Sequence, residues 1–289
     1  MAYAFNNIAL IGKYRDSDVD ETLMALSIFL DELGCDHVFD ESSADISNKP
    51  HLKTATRAEI GAHCDLAIIV GGDGSLLHTA RSLARYEVPL LGINRGRLGF
   101  LVDISPNEML LWLRNILNGK YQEEQRILLR AVTHHGDSQT SESYAFNDVV
   151  IHKWQMARMI ETETYIDGRL VSNLRSDGLI IATPTGSSAY AMSSGGPLLF
   201  PTLKAMEIVP ICPHTMSFRP LVIDGDSTIE VRVAEVSQGH AQVTCDGQIN
   251  LGLLAGDTVE ITRTEYMVRL IHPYGYDYFE LLRAKLNWG

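Results

Sequence analysis

LAIIVGGDGSLLHTARSLA, residues 66–84, decides the fold of this chain. Leu66-Ala67-Ile68-Ile69-Val70 is an unbroken apolar run, the pattern of a strand buried on both faces of a parallel sheet. Gly71-Gly72-Asp73-Gly74-Ser75 follows. Leu76, Leu77, Ala80, Leu83 and Ala84 then recur at helical spacing, with His78, Arg81 and Arg85 on the other side. The glycines therefore stand where a strand ends and a helix begins, the place where ligands bind in an open α/β sheet. Glycine admits positive φ and close backbone approach, and the N–H groups of a helix start attract phosphate. Asp73 is the odd member, because a carboxylate in a phosphate cradle repels phosphate. A plainer reading is a tight turn in which Asp73 or Ser75 caps the helix. The loop is not a Walker loop, since no G-x-x-x-x-G-K-[ST] occurs, and not a dinucleotide fingerprint, since Leu77 stands at the third glycine position.

The surrounding pattern extends this unit. Residues 7–12 (NIALIG) read as a first strand. Residues 18–33 read as a helix, with Val19, Leu23, Leu26, Leu30 and Leu33 on one face, a possible capping box from Asp18 to Glu21, and Gly34 as its C′ glycine. Residues 37–40 form a short strand, 40–50 a polar loop, 53–63 a weaker helix, and 88–93 (VPLLGI) another strand leading into the loop 94–99. Ser105-Pro106-Asn107-Glu108 opens a helix with an N-cap, a Pro at N1 and an acidic N3. Alternating strands and helices predict a parallel, doubly wound, Rossmann-like sheet.

The pattern changes near residues 119–124. Residues 159–171 alternate around Asp167-Gly168, a hairpin signal, and 228–233 and 259–264 alternate as well. This predicts a β-rich, sandwich-like second domain. The expected divisions are 1–122 (α/β, carrying the glycine loop), 123–271 (β-rich), and 272–289, whose helix at 278–286 packs back on the first domain. A length of 289 residues suits two domains at ~150 each.

Composition narrows the classes of function. Apolar residues make up 45% and charged residues 21%, ordinary for a globular chain. Cys35, Cys64, Cys212 and Cys245 have no paired spacing and fit reduced thiols better than disulfides or a zinc site. His134-His135 lies in a polar stretch and reads as a solvated loop. No apolar run reaches the ~18 residues of a membrane span, and residues 1–12 are too quickly polar for a signal peptide. The expected location is the cytoplasm, without membrane contact. A formal net charge of −12 argues against a nucleic-acid partner, but not against an anionic small substrate, since screening acts over ~8 Å.

Two further stretches carry chemistry. Residues 176–190, SDGLIIATPTGSSAY, place a strand between an acidic turn and a hydroxyl-rich loop, and Ser194-Gly195-Gly196-Pro197 closes the segment. Hydroxyls offer hydrogen bonds and Tyr190 can pack on a ring; a surface loop with turn chemistry is the bland alternative. No serine here has the flanking glycines of a nucleophile elbow. Asn147-Asp148 interrupts the strand YAFNDVVIH, as a grip on a diol or as a bulge or edge.

Together these residues resemble the NAD kinase family. It is marked by a GGDG loop (here Gly71 to Gly74), an Asn-Glu or Asn-Asp pair (Asn147-Asp148), a D-G-L-I…T-P-T-G-S-[TS]-A-Y…S-G-G-P segment (177–197) and an Asp-Gly-Gln (Asp246-Gly247-Gln248). Residues 92–100, GINRGRLGF, also look like the family's. The resemblance covers roughly residues 7 to 273. GGDG alone is shared with lipid and sugar kinases; the T-P-T-G-S-S-A-Y segment is the specific element. Asp148 replaces the more usual Glu, Ser75 and Ser188 stand where Thr is frequent, and His78 where a basic residue or glycine is often seen.

The resemblance implies transfer of the ATP γ-phosphoryl group to the adenosine-ribose 2′-hydroxyl of NAD, giving NADP, with a divalent cation, Mg²⁺, bridging the phosphates. It gives Asp73 its reason: a catalytic carboxylate that presents the attacking hydroxyl. Gly71, Gly72, Gly74 and Ser75 form the phosphate loop for ATP. The residues implied for NAD are Asp73 and Gly74, then Asn147, Asp148, Arg158, Arg175, Asp177, Thr185, Gly186, Ser187, Ser188, Ala189, Tyr190 and Gln248. No protein ligand to the metal is assigned. A homodimer or homotetramer is expected. The competing readings are a lipid or sugar kinase sharing the GGDG loop and a non-catalytic dinucleotide sensor.

Overall fold

The computed structural model describes residues 3–12, 16–43, 52–96, 99–136, 138–154, 159–215, 217–234, 241–253 and 256–288. Arg158, residues 44–50 of the expected polar loop, and Arg97 and Leu98 of the loop after the 88–93 strand lie outside them. The chain divides into two compact units, Met1–Gln125 with Met267–Gly289, and Arg126–Tyr266.

In the first unit the elements are β1 (Asn7–Gly12), α1 (Ser17–Leu33), β2 (Asp36–Asp40), β3 (Thr54–Ala55), α2 (Arg57–His63), β4 (Leu66–Gly71), α3 (Asp73–Leu83), β5 (Leu90–Asn94) and α4 (Met109–Leu117). Strands β3, β2, β1, β4 and β5 lie side by side in that order, all parallel. Every residue of β4 is buried, as expected of a central strand covered on both faces. Leu10, Ile68, Val70, Leu91 and Ile93 pack with Leu23, Leu26 and Leu30 of α1 and Leu113 and Ile116 of α4.

Three boundaries differ from the sequence reading, each for a local reason. Helix α1 is capped by Asp16, whose side chain accepts from Val19 N–H, so the Asp18–Glu21 capping box does not form. Residues 53–63 are not one helix. Thr56 caps α2 through a reciprocal box with Glu59, which releases Thr54 and Ala55 to pair as a strand with β2. Residues 105–108 form turns before α4, whose N-cap is Glu108 with no side-chain cap bond; the Ser105 hydroxyl accepts Asn107 N–H instead.

The second unit continues with β6 (Tyr121–His135), β7 (Ser138–Ala145), β8 (Asp148–Lys153), β9 (Ile160–Ile166), β10 (Arg169–Ser176), β11 (Gly178–Ala182), α5 (Tyr190–Ser193), β12 (Ala205–Ile211), β13 (Leu221–Asp224), β14 (Ile229–Val233), β15 (Ala241–Cys245), β16 (Ile249–Leu253) and β17 (Thr258–Pro273). Six strands make an all-antiparallel sheet in the order β13-β12-β11-β8-β15-β16. A second antiparallel group joins β10, β9, β14 and the start of β17. Val149, Ile151, Leu179 and Ile181 of the first and Ile160, Val231 and Ile261 of the second share one apolar core, the face-to-face packing of a sandwich. The β9–β10 hairpin turns at Asp167 and Gly168, both at positive φ (49° and 74°), as Asp-Gly demands. His134-His135 is not a loop: both lie in β6, and His135 Nδ1 is 2.6 Å from the buried Asp257 carboxylate.

β17 and β6 carry the chain between the units. The end of β17 belongs to the first unit and pairs parallel with β5, Leu270 opposite Leu90. Helix α6 (Tyr278–Leu286) follows, capped by Asp277, with Leu281 and Leu282 buried.

Since Ile68 is fully buried in the strand that delivers the glycine loop, Ile68→Ala is expected to cost about 2–5 kcal/mol through lost transfer energy and the cavity left behind. A lower urea midpoint at unchanged denaturant slope is the readout.

Candidate functional site

Two constellations carry the predicted residues, one in each unit. In the first, β4 ends at Gly71 and α3 starts at Asp73, with Gly72 as an extended N-cap (φ −110°, ψ −174°). Contrary to the sequence expectation, none of Gly71, Gly72 and Gly74 takes positive φ, because strand passes to helix without a reversal. Glycine at 71 leaves room for the Ser75 hydroxyl: a Cβ there would stand 2.6 Å from Ser75 Oγ and would have to turn it away. Asp73 does not cap its own helix. Its carboxylate accepts N–H of Phe100 at 2.8 Å and of Leu101 at 3.1 Å. Asn94, at the end of β5 and in register with Gly71, is buried and its Oδ1 has no hydrogen-bond partner. His78 is held below its usual proton affinity, by desolvation first and then by Arg57 and Arg81, so it is neutral near pH 7.

In the second unit a cavity of about 630 Å³ is lined by Asn147, Asp148, Asp177, Ala189 and Tyr190 of the expected set. This is a common size for a small-molecule site. Asn147 is not inside a strand. It lies in a break between β7 and β8, and Asp148 begins β8, an inner strand between β11 and β15. The break is held by Asp246, whose carboxylate accepts the N–H groups of Phe146 (3.0 Å), Asn147 (2.7 Å) and Asp148 (3.2 Å). Across it, Gly186 passes so close that a Cβ would meet Asn147 O at 2.1 Å.

The hydroxyls of residues 183–188 largely hold their own loop. Thr183 donates to Phe146 O, Ser187 to Pro184 O and Ser188 to Thr185 O. Thr185 Oγ1 accepts from Arg126, a buried guanidinium. Ala189 and the half-exposed Tyr190 are the part of that segment that faces the cavity. Asp177 sits where the chain leaves β10 for β11 and pairs with Lys153 at 2.6 Å. Arg175 lies exposed on β10, and Gln248 is exposed beside Gly247, which lines the cavity.

Family models match both units, the ATP-NAD kinase N-terminal domain over residues 10–121 and the ATP-NAD kinase C-terminal domain over 146–273. The chain is 48% identical to an NAD kinase of Nitrosococcus oceani, covering 100% of this chain and 99% of that protein. It is 46% identical to an NAD kinase of Pseudomonas putida, covering 99% and 96%. This chain belongs to the ATP-NAD kinase family. It phosphorylates NAD to NADP at the expense of ATP, and the readings as another GGDG kinase or a silent sensor give way. A crystal structure of an NAD kinase from Archaeoglobus fulgidus in complex with ATP superposes with a TM-score of 0.76 at 26% identity, covering 97% of this chain and 98% of that one. The yeast NADH kinase complexed with NADH shares the fold, at a TM-score of 0.87 and 23% identity, covering 98% and 88%.

The structure adds residues to the two constellations that the sequence alone does not single out. Asp246 was legible only as part of a motif, not as the acceptor that shapes Asn147 and Asp148. His152 and Lys153 at the end of β8 and Gln242 and Thr244 on β15 also line the cavity, and no local sequence signal marks them. Glu207 had no signal at all. It is fully buried on β12, and neither carboxyl oxygen has a partner. Through Ala182 of β11 it is in register with Asp148. Burial, and then the Asp246 charge, push Asp148 up to about 7. Burial, and then the Asp148 charge, push Glu207 up to about 8.

Glu207 thus binds its proton more tightly folded than unfolded. Its favourable contribution is complete below the ordinary carboxylate range and is lost as pH rises to about 8. Glu207→Gln should therefore gain stability relative to the parent between those limits, by up to about 1.4 kcal/mol per pH unit. Urea unfolding at several pH values measures this. A difference that does not change with pH would mean that Glu207 titrates like an exposed carboxyl.

Proposed function

We propose that Asp73 acts on the attacking hydroxyl and that the second unit's cavity holds NAD. The observation that carries this reading is a carboxylate at the carboxyl end of a buried parallel strand, fixed by two backbone N–H groups. A loop serving only phosphate gains nothing from that charge. In the reaction, the ribose 2′-oxygen forms a bond to the γ-phosphorus and the bond from that phosphorus to the β,γ-bridging oxygen of ATP breaks. The hydroxyl proton passes to Asp73, and ADP leaves. The transition state is loose, so proton removal comes late and much of Asp73's effect is orientation.

The start of α3, with Gly71, Gly72, Gly74 and Ser75, receives the ATP phosphates. The Mg²⁺ that accompanies ATP would supply neutralising charge at the phosphates. Asn94, whose Oδ1 is buried without a partner, is the protein oxygen suited to it. Asn147 and Asp148 take the ribose diol as acceptors, and Ala189 and Tyr190 flank the adenosine with Tyr190 as the ring platform, while Thr185, Gly186, Ser187 and Ser188 form the loop that carries them. Arg158 and Arg175 are the cationic contacts, and Asp177 and Gln248 complete the pocket. Free cysteines fit a cytoplasmic enzyme. A homodimer or homotetramer suits the exposed Leu221 and Val222 on edge strand β13 and Ile249 on edge strand β16.

Incubation with NAD, ATP and Mg²⁺ should yield NADP over many turnovers, whereas an analogue lacking the adenosine-ribose 2′-hydroxyl should bind and give no product. Phosphorylated product from that analogue would contradict the reading.

Asp73→Ala is expected to lower kcat by ~10²–10⁴-fold, the usual worth of a positioned base, while calorimetric NAD affinity stays within about a factor of three. Asp73→Asn should fall nearly as far, because an amide offers one acceptor where the Phe100 and Leu101 N–H groups need two. Near-parental turnover in both variants would remove Asp73 from the chemistry.

A further inference from the structure

The Asp73 carboxylate is oriented by a segment 27 and 28 positions further along the chain, not by its own helix. Phe100 N–H binds Oδ2 and Leu101 N–H binds Oδ1, one oxygen each, so rotation of the carboxylate plane is arrested. Gly99 closes the same side. A Cβ built there would stand 1.9 Å from Oδ1, 2.6 Å from Cγ and 2.8 Å from Oδ2. No side chain fits at position 99 while Asp73 keeps this pose. An aspartate in a first helical turn would ordinarily swing onto the helix's own N–H groups. The segment at 99–101 holds it away from them.

That segment is itself held. Lys285 of α6 stands with its ammonium 5.2 Å from the centroid of the Phe100 ring, within cation–π range. Leading into α6, Arg269 grips Glu123 through two N–H···O bonds, His272 meets Asp103 at 3.1 Å, and Gly275 N–H donates to Gln122.

We propose that Gly99, Phe100 and Leu101, steadied by Lys285, form a positioning element that sets the orientation in which Asp73 meets the attacking hydroxyl. It rests on the reading of Asp73 given above. Gly99 and Lys285 are positioning residues: they act through Asp73 and touch no substrate. Orientation is where a phosphoryl-transfer enzyme gains most from a carboxylate, and a displacement of about 1 Å can cost ~10²-fold in rate.

A double-mutant cycle tests this. Gly99→Ala should lower kcat ~10²-fold, and Lys285→Met ~2- to 5-fold, each with NAD affinity by calorimetry and the KM for ATP within about a factor of two. In the Asp73→Ala background neither substitution should lower the residual rate further, because the group they orient is gone. Losses that multiply in that background, or full activity of Gly99→Ala, would overturn the proposal and leave Asp73's role standing. Parental turnover of Asp73→Ala itself would overturn both. If thermal melts show that Gly99→Ala does not fold, the Lys285→Met cycle decides alone, since that half-buried side chain lies in the last turn of α6.

Discussion

One carboxylate, that of Asp246, holds three consecutive backbone N–H groups where the chain breaks between β7 and β8. Backbone donors leaving one strand for the next must find acceptors or bear the cost of burial without them. Asp246 supplies the acceptors from a tight hairpin loop, itself at positive φ (52°). The consequence reaches the pocket. Asp148 is delivered to the start of β8 with its side chain in the cavity wall, beside a second negative charge that helps raise its proton affinity. The same device recurs in the first unit, where Asp73 binds the N–H groups of Phe100 and Leu101. In both motifs the acid that looks like chemistry is also scaffold.

The parts of the fold legible in the sequence are those with a local cause. The apolar run into β4, the αL glycine after α1 (Gly34, φ 70°), the Asp-Gly hairpin and the terminal helix at residues 278–286 each follow from neighbouring residues alone. Helix starts were harder, since any of several nearby polar residues can cap, and tertiary contacts choose among them: Asp16 over Asp18, and Thr56 over a start at Lys53. The site divides in the same way. Gly71 to Ser75, Asn147-Asp148 and Ala189-Tyr190 announce themselves as motifs. His152, Lys153, Gln242 and Glu207 reach or underlie the pocket only because β8, β12 and β15 lie in one sheet, and register is not written in any short stretch.

An acidic chain that binds anionic nucleotides looks contradictory. The cavity wall itself carries Asp148, Asp177 and Asp246 against one lysine, Lys153. These groups have other work than attracting phosphate. Asp246 is committed to backbone and Asp177 to Lys153, and Asp148 faces the cavity. Crowding acids in a half-dry wall has a cost, which the protein meets by keeping protons: the buried Glu207 behind Asp148 holds its proton to about pH 8. A second full charge beside Asp148 is thereby avoided at neutral pH.

The glycines then acquire a different meaning from the one their loops first suggest. Gly71, Gly99 and Gly186 are all used for contact rather than for conformation, none of them at positive φ. A Cβ at these positions would strike Ser75 Oγ, the Asp73 carboxylate and Asn147 O respectively. Two of those neighbours are side-chain oxygens and the third is a backbone carbonyl. An added methyl at such a place makes no cavity and exposes no surface. At 71 and 99 it would displace a side-chain oxygen, whereas at 186 it would push on the backbone of Asn147, whose carbonyl accepts Thr183 N–H, so stability suffers there as well. Space at these three points therefore fixes where the Ser75 hydroxyl, the Asp73 carboxylate and the Asn147 carbonyl lie.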